Sequence, residues 1–186
     1  MTVALPLGPP VTPAPAPAFA LAVTPAGVRG ALVLGIGNIL LRDEGVGAIV
    51  AQRIEAARAA GEAVVPAGTR VVDGGTLGLD LLPMIGDADQ VVMVDAVNLG
   101  HAPGTVTILR DDAVQAALSG HVSPHQIGVG DLVAAARLTG AMPPRLTLVG
   151  IQPGVISIGL ELTAAVEAAV DVAVELVRRE LAPVGA

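Results

Sequence analysis

Hydrophobic positions change period repeatedly along this chain. Residues 31–36 form a continuous apolar run, the pattern of a parallel strand covered on both faces. Gly35 and Gly37 then allow a tight turn. Beyond it, Val46, Ile49, Val50 and Ile54 recur at helical spacing, while Gln52, Arg53, Glu55 and Arg58 fall on the water side, so a helix over 44–60 is expected with Asp43 as its cap. The same alternation of period continues downstream. Strands are expected over 32–36, 70–72, 91–94, 105–109 and 146–150, and helices over 44–60, 77–85, 124–138 and 160–181, the doubly wound α/β pattern. One connection breaks the rule. Residues 98–105 are too few for a crossover helix, so the strand over 105–109 is expected to run antiparallel at or near an edge.

Composition then narrows the chemistry. With 186 residues the chain suits one domain with a proper core, and its only aromatic residue, Phe19, lies in the N-terminal extension. The folded body must therefore pack with aliphatic side chains and Met, and base stacking is excluded. No cysteine is present, which removes disulfides, thiolate nucleophiles and Cys-ligated metals. All ten cations are arginine, which removes Walker A and Schiff-base chemistry. A net charge of −7 argues against nucleic acid as a partner.

Mean hydropathy of +0.72 raises the question of a membrane. The segment 160–181 answers it, because Glu167, Asp171 and Glu175 recur every four residues along one face of an amphipathic surface helix. Residues 1–30 form a Pro- and Ala-rich extension expected to be disordered, and residues 31–186 a single domain. The extension lacks the basic start and unbroken apolar run of a signal peptide, so a cytoplasmic location is expected.

Three candidate ligands fall on one edge of the expected sheet. Glu44 follows the first strand, and Asp95 follows the apolar run Val91-Val92-Met93-Val94. His125 lies in Ser123-Pro124-His125-Gln126, where Ser at N-cap, Pro at N1 and Gln at N3 read as a helix start. That helix leads back to a parallel strand, so its N-terminus belongs on the carboxyl edge with the two acids. Two carboxylates and an imidazole describe a metal site with open positions. Taken singly, each has a plainer role, as a dipole-complementing Glu, a turn-forming Asp and a solvated His. Asp73-Gly74-Gly75-Thr76 and Gln152 are expected to line the same cleft, with Thr76 available to cap the next helix.

A dinucleotide site is the rival for Gly35-Ile36-Gly37. Its third glycine would fall at Leu40, and the acid expected about 20 residues on has no good counterpart, because Asp73 comes much later.

The ordered motifs resemble one family. Gly35-Ile36-Gly37-Asn38-Ile39-Leu40 with Asp43-Glu44-Gly45-Val46-Gly47, then Asp73-Gly74-Gly75-Thr76, Val94-Asp95-Ala96, Ser123-Pro124-His125-Gln126 and Gly150-Ile151-Gln152-Pro153, are similar to the hydrogenase maturation endopeptidases. The resemblance implies a twisted, mostly parallel five-stranded sheet between helical layers. It also implies an enzyme, classed with aspartic-type endopeptidases, that removes a C-terminal peptide from the large-subunit precursor of nickel-iron hydrogenase after nickel insertion. Glu44, Asp95 and His125 match the family's metal-binding and catalytic residues, with nickel carried by the precursor. Whether the metal or a carboxylate activates the water stays open at this point, as does a non-enzymatic metal-binding chaperone using the same cleft.

Overall fold

The structure, a computed structural model, describes residues 30–118 and 128–182. Five strands form one sheet in the order β2-β1-β3-β5-β4, where β1 is Gly30–Ile36, β2 Arg70–Gly75, β3 Ala88–Ala96, β4 Val106–Arg110 and β5 Arg145–Ile151. β1, β2, β3 and β5 are mutually parallel. β4 pairs antiparallel with β5 at the edge, as the short connection before it requires.

Alternate residues of the strands feed two cores. On one face, Leu32, Leu34, Val91, Met93, Leu146 and Leu148 pack under α2 (Leu82–Gly86), α3 (Asp112–Leu118) and α4 (Val129–Thr139). On the other, Val33, Val92, Val94, Val149 and Ile151 meet α1 (Val46–Ala59) and α5 (Ala164–Leu181). The result is a three-layer α/β/α sandwich with an aliphatic interior. Both faces being covered explains why the central strands read as unbroken apolar runs.

Several boundaries differ from those expected, and each has a local cause. The helix expected over 44–60 opens as a 3₁₀ turn at Arg42–Gly45 before α1 begins, and Asp43 does not cap it. Thr76 does not cap the next element either, which is a 3₁₀ turn at Gly78–Leu81 running into α2. The helix expected from Pro124 starts at Val129, because Gly128 is extended, with φ −89° and ψ −175°, and its N–H donates to Asp131 Oδ2 at 3.2 Å. α5 starts four residues later than expected, after a loop that is held elsewhere. α3 went unanticipated, since seven residues with one buried side chain, Val114, are too few to show a period.

α5 does have the amphipathic character its acids suggested. Arg53 of α1 bonds Asp171 at 2.8 Å and Glu167 at 3.4 Å across the outer surface, while Val166, Val170, Ala173 and Val177 are buried. Among the described residues no helix is long and apolar enough to cross a membrane.

Candidate active site

The chain leaves β1 toward β2 on one side, whereas β3 lies on the other. This reversal opens a crevice between the carboxyl ends of β1 and β3, where open α/β sheets hold ligands. Gly37 begins the turn out of β1 at φ +133°, and its N–H donates to Gly75 O at 3.0 Å. The next amides are consumed within the turn. Asn38 N donates to Glu44 Oε2 at 2.6 Å, Leu40 N to Asn38 Oδ1 at 3.0 Å and Leu41 N to Asn38 O at 3.0 Å. With the Gly37, Asn38, Leu40 and Leu41 amides bonded internally, the turn offers no run of free N–H groups for a pyrophosphate and instead aims Glu44.

Gly47, just inside α1, fixes the depth of that aim. A Cβ at this position would overlap Ile36 O and Val94 O, so only glycine lets the helix start sit down between β1 and β3. Asp95 closes the opposite wall. It is the penultimate residue of β3, level with Gly150 on β5, and its Oδ1 accepts from Ala96 N at 2.8 Å.

The two carboxylates are electrostatically coupled. Burial pushes the Asp95 carboxyl well above its ordinary range; the Ala96 N–H opposes this, and the Glu44 charge adds to it. Burial also raises Glu44, with the Asn38 N–H acting against the rise. Glu44 Oε1 and Asp95 Oδ2 take no hydrogen bond among the described residues. Two partly buried acids, one raised by the charge of the other and each with an oxygen unbonded among the described residues, fit a bound cation, which would offset the cost of burial.

Asp43 is built differently from its neighbour. It is fully buried, and its carboxylate accepts four hydrogen bonds: Oδ2 from Gly154 N (2.9 Å), Val155 N (2.8 Å) and Thr163 Oγ1 (2.9 Å), and Oδ1 from Thr163 N (2.6 Å). Burial alone would raise its pKa, but these donors from Thr163, Val155 and Gly154 prevail and hold it below the usual value. Asp43 is thus a clamp between the β1–α1 and β5–α5 loops. α5 starts late because Thr163, its extended N-cap residue, is tied through both its N–H and its hydroxyl to Asp43. Nothing local marks this role, since Thr163 is 120 positions away.

The other expected residues have structural partners. Asp73 Oδ1 accepts from Gly75 N at 3.1 Å and Oδ2 from Gln52 Nε2 at 2.7 Å, which binds the end of β2 to α1. Gly74 is buried against Leu34 and Leu81, and Thr76 follows the turn at the same edge. Gln152 is a strut: its Oε1 accepts from Leu99 N and His101 N, and its Nε2 donates to Asn98 Oδ1, holding the loop after β3. His125, with Ser123, Pro124 and Gln126, lies outside the described residues, among which no group of three acids or histidines is arranged to hold a metal.

A sequence model described as hydrogenase maturation protease matches residues 50–180. The hydrogenase 2 maturation protease of Escherichia coli K12 is 41% identical over 147 residues, covering 78% of this chain and 87% of that protein. The chain belongs to the hydrogenase maturation protease family. The hydrogenase expression/formation protein HupD of Rhodobacter capsulatus is 42% identical over 152 residues, covering 81% of this chain and 70% of that one. The solved structure of the hydrogenase maturating endopeptidase HybD from E. coli superposes with a TM-score of 0.72 at 39% identity, over 82% of this chain and 91% of HybD. As a maturation protease the chain is a hydrolase of peptide bonds, and the dinucleotide alternative falls away. Its mixed sheet with one antiparallel edge strand is the fold of that relative.

Proposed function

We propose that this protease removes a C-terminal peptide from the large-subunit precursor of a nickel-iron hydrogenase once nickel is in place, with Glu44, Asp95 and His125 as the working residues. The observation that carries the assignment is the Glu44–Asp95 pair at the β1/β3 crevice, each acid keeping one oxygen unbonded among the described residues. Glu44 Oε1 and Asp95 Oδ2 would meet the metal borne by the precursor, and His125 supplies the third donor by its match to the family motif. Oxygen and nitrogen donors do not by themselves select nickel, so the identity of the metal rests on the family.

The metal, as part of the substrate, supplies Lewis acidity and a fixed point for the scissile segment. The chain's own residues do the rest. The Asn38 N–H and the seat of Gly47 hold Glu44 in one orientation, and the partly buried floor strengthens every charge interaction above it. Water adds to the scissile carbonyl carbon, its proton passes to a free carboxylate oxygen of the pair, and that proton then goes to the departing amine as the C–N bond breaks. Residues 31–186 constitute the catalytic domain in this scheme, with residues 1–30 outside it. The setting is the cytoplasm, where the precursor would be met before assembly.

The test is intact-mass analysis of precursor incubated with the protein, with and without nickel. Loss of a C-terminal peptide from the loaded form alone is expected. A stable complex without cleavage would instead make the chain a maturation chaperone, and cleavage regardless of nickel would remove the metal from the mechanism.

A further inference from the structure

Isolated apolar residues on a surface need no explanation, whereas a contiguous group does. Six of the ten large apolar side chains exposed among the described residues sit on two loops: Ile39 and Leu40 after β1, and Val155, Ile156, Ile158 and Leu160 after β5. Ile158 is 92% exposed, Leu160 69% and Leu40 58%. The loops are joined. Gly159 N donates to Leu40 O and Arg42 N to Gly159 O, both at 3.0 Å, and the Asp43 clamp locks Gly154, Val155 and Thr163 to the same place. Ile158 and Leu160 therefore flank the very residue bonded to Leu40. One of the two loops ends in Glu44, so the rim is continuous with the active-site crevice.

A cation stands on this rim. Arg42 adopts φ +55°, unusual for a residue with a Cβ, and is kept there by its backbone bond to Gly159. Its stem crosses Gly159, and its Nε donates to Glu161 O at 3.3 Å. It has no carboxylate partner among the described residues. In a chain of net charge −7, an unpaired arginine beside an apolar ledge is complementary to an acid-bearing, otherwise apolar polypeptide.

We infer that this rim is the docking surface for the precursor, taking an apolar stretch next to the bond to be cut, with Arg42 receiving an acidic group on that stretch. The inference rests on the protease reading above, but it concerns where the substrate is held rather than how it is cut. Asp43 acts as the positioning residue that keeps the two halves of the ledge in register with Glu44.

Steady-state processing of nickel-loaded precursor by the full-length protein decides it. The double variant Ile158→Ser/Leu160→Ser is expected to raise KM at least about tenfold, with kcat within about twofold, because the change removes substrate contact and leaves the pair intact. Arg42→Glu should raise KM about fivefold and Arg42→Lys should restore most of it. Leu138→Ser, an equally exposed leucine on α4, should change nothing. Unfolding midpoints of the Ile158→Ser/Leu160→Ser and Leu138→Ser variants should match wild type, since those side chains are exposed, and the half-buried Arg42 is read by the rescue in Arg42→Lys. Unchanged KM in the double variant overturns the inference, including the case where only the oligomeric mass changes and the ledge proves to be a contact between copies. Wild-type protein that binds precursor through the ledge without cleaving it would overturn the protease reading and keep the docking surface.

Discussion

Asp43 and Glu44 are consecutive acids with opposite environments. Asp43 is saturated: four donors surround its carboxylate and hold its pKa down. Glu44, facing Asp95 across the crevice, has among the described residues one backbone donor and an oxygen to spare, and burial raises its pKa. Where the hydrogen-bonding capacity of a buried acid is fully used inside the chain, the group is structure; where it is left over, the group can meet a ligand. The clamp and the pair should therefore respond to mutation in different observables.

Processing gives the largest separation. Glu44→Gln keeps the volume and the bond from Asn38 but removes the charge, so precursor cleavage should fall by about 1,000-fold or more, while the unfolding free energy stays within about 1 kcal/mol of wild type. Mass spectrometry of the product and urea unfolding of the same preparation check both halves. Cleavage persisting in this variant would take Glu44 out of the mechanism.

The clamp should behave in reverse. Asp43→Ala removes the acceptor shared by the loop amides of Gly154 and Val155 and by both Thr163 donors and empties a fully buried position, at a cost of about 4 kcal/mol. Asp43→Asn, which retains one acceptor oxygen, should lose about 2 kcal/mol. Activity in Asp43→Asn should fall through KM more than kcat, because the ledge loosens before the pair is disturbed. Stability within error of wild type for Asp43→Ala would mean that the four bonds do not hold the loops together.

Which parts of this were legible in the sequence follows from the distance over which each signal acts. The strands and the antiparallel edge were readable because apolar runs and a short connection are local facts. Glu44 and Asp95 were placed on one edge by topology alone, and the effect of the Glu44 charge on Asp95 agrees with that placement. Asp43 was misread as a cap because an acid before a helix has that local meaning, whereas its real partners come from 111 to 120 positions further on. Gln152 was expected as cleft lining and is a strut for the loop after β3, for the same long-range reason. The start of α4 at Val129 was missed because Ser123-Pro124 carries a stronger start signal than Gly128.

Acid sharpens the comparison. Asp43 has a folded pKa below its unfolded value of about 3.9, so its contribution is fully present above that value and is lost as pH falls through the folded pKa. The stability gap between wild type and Asp43→Asn should thus be constant near neutrality and shrink below about pH 4. Urea midpoints over an acid series measure it. A gap that does not narrow there would show that the charge on Asp43 is not what the loop amides respond to.

The smallest effect is also the one with the opposite sign. Asp95 has a folded pKa well above its unfolded value, so the folded state holds a proton that the unfolded chain has already released. Stability therefore falls as pH rises from the unfolded pKa to the folded one, and the deficit persists at neutral pH. Asp95→Asn removes the ionisation while keeping an oxygen for Ala96 N, so it should abolish processing yet stabilise the protein by about 1 kcal/mol at pH 7. The advantage should disappear below about pH 4, where wild-type Asp95 is protonated in both states. A less stable Asp95→Asn at neutral pH would mean that the buried charge is satisfied within the chain, and that the pair, like the clamp, is a piece of architecture.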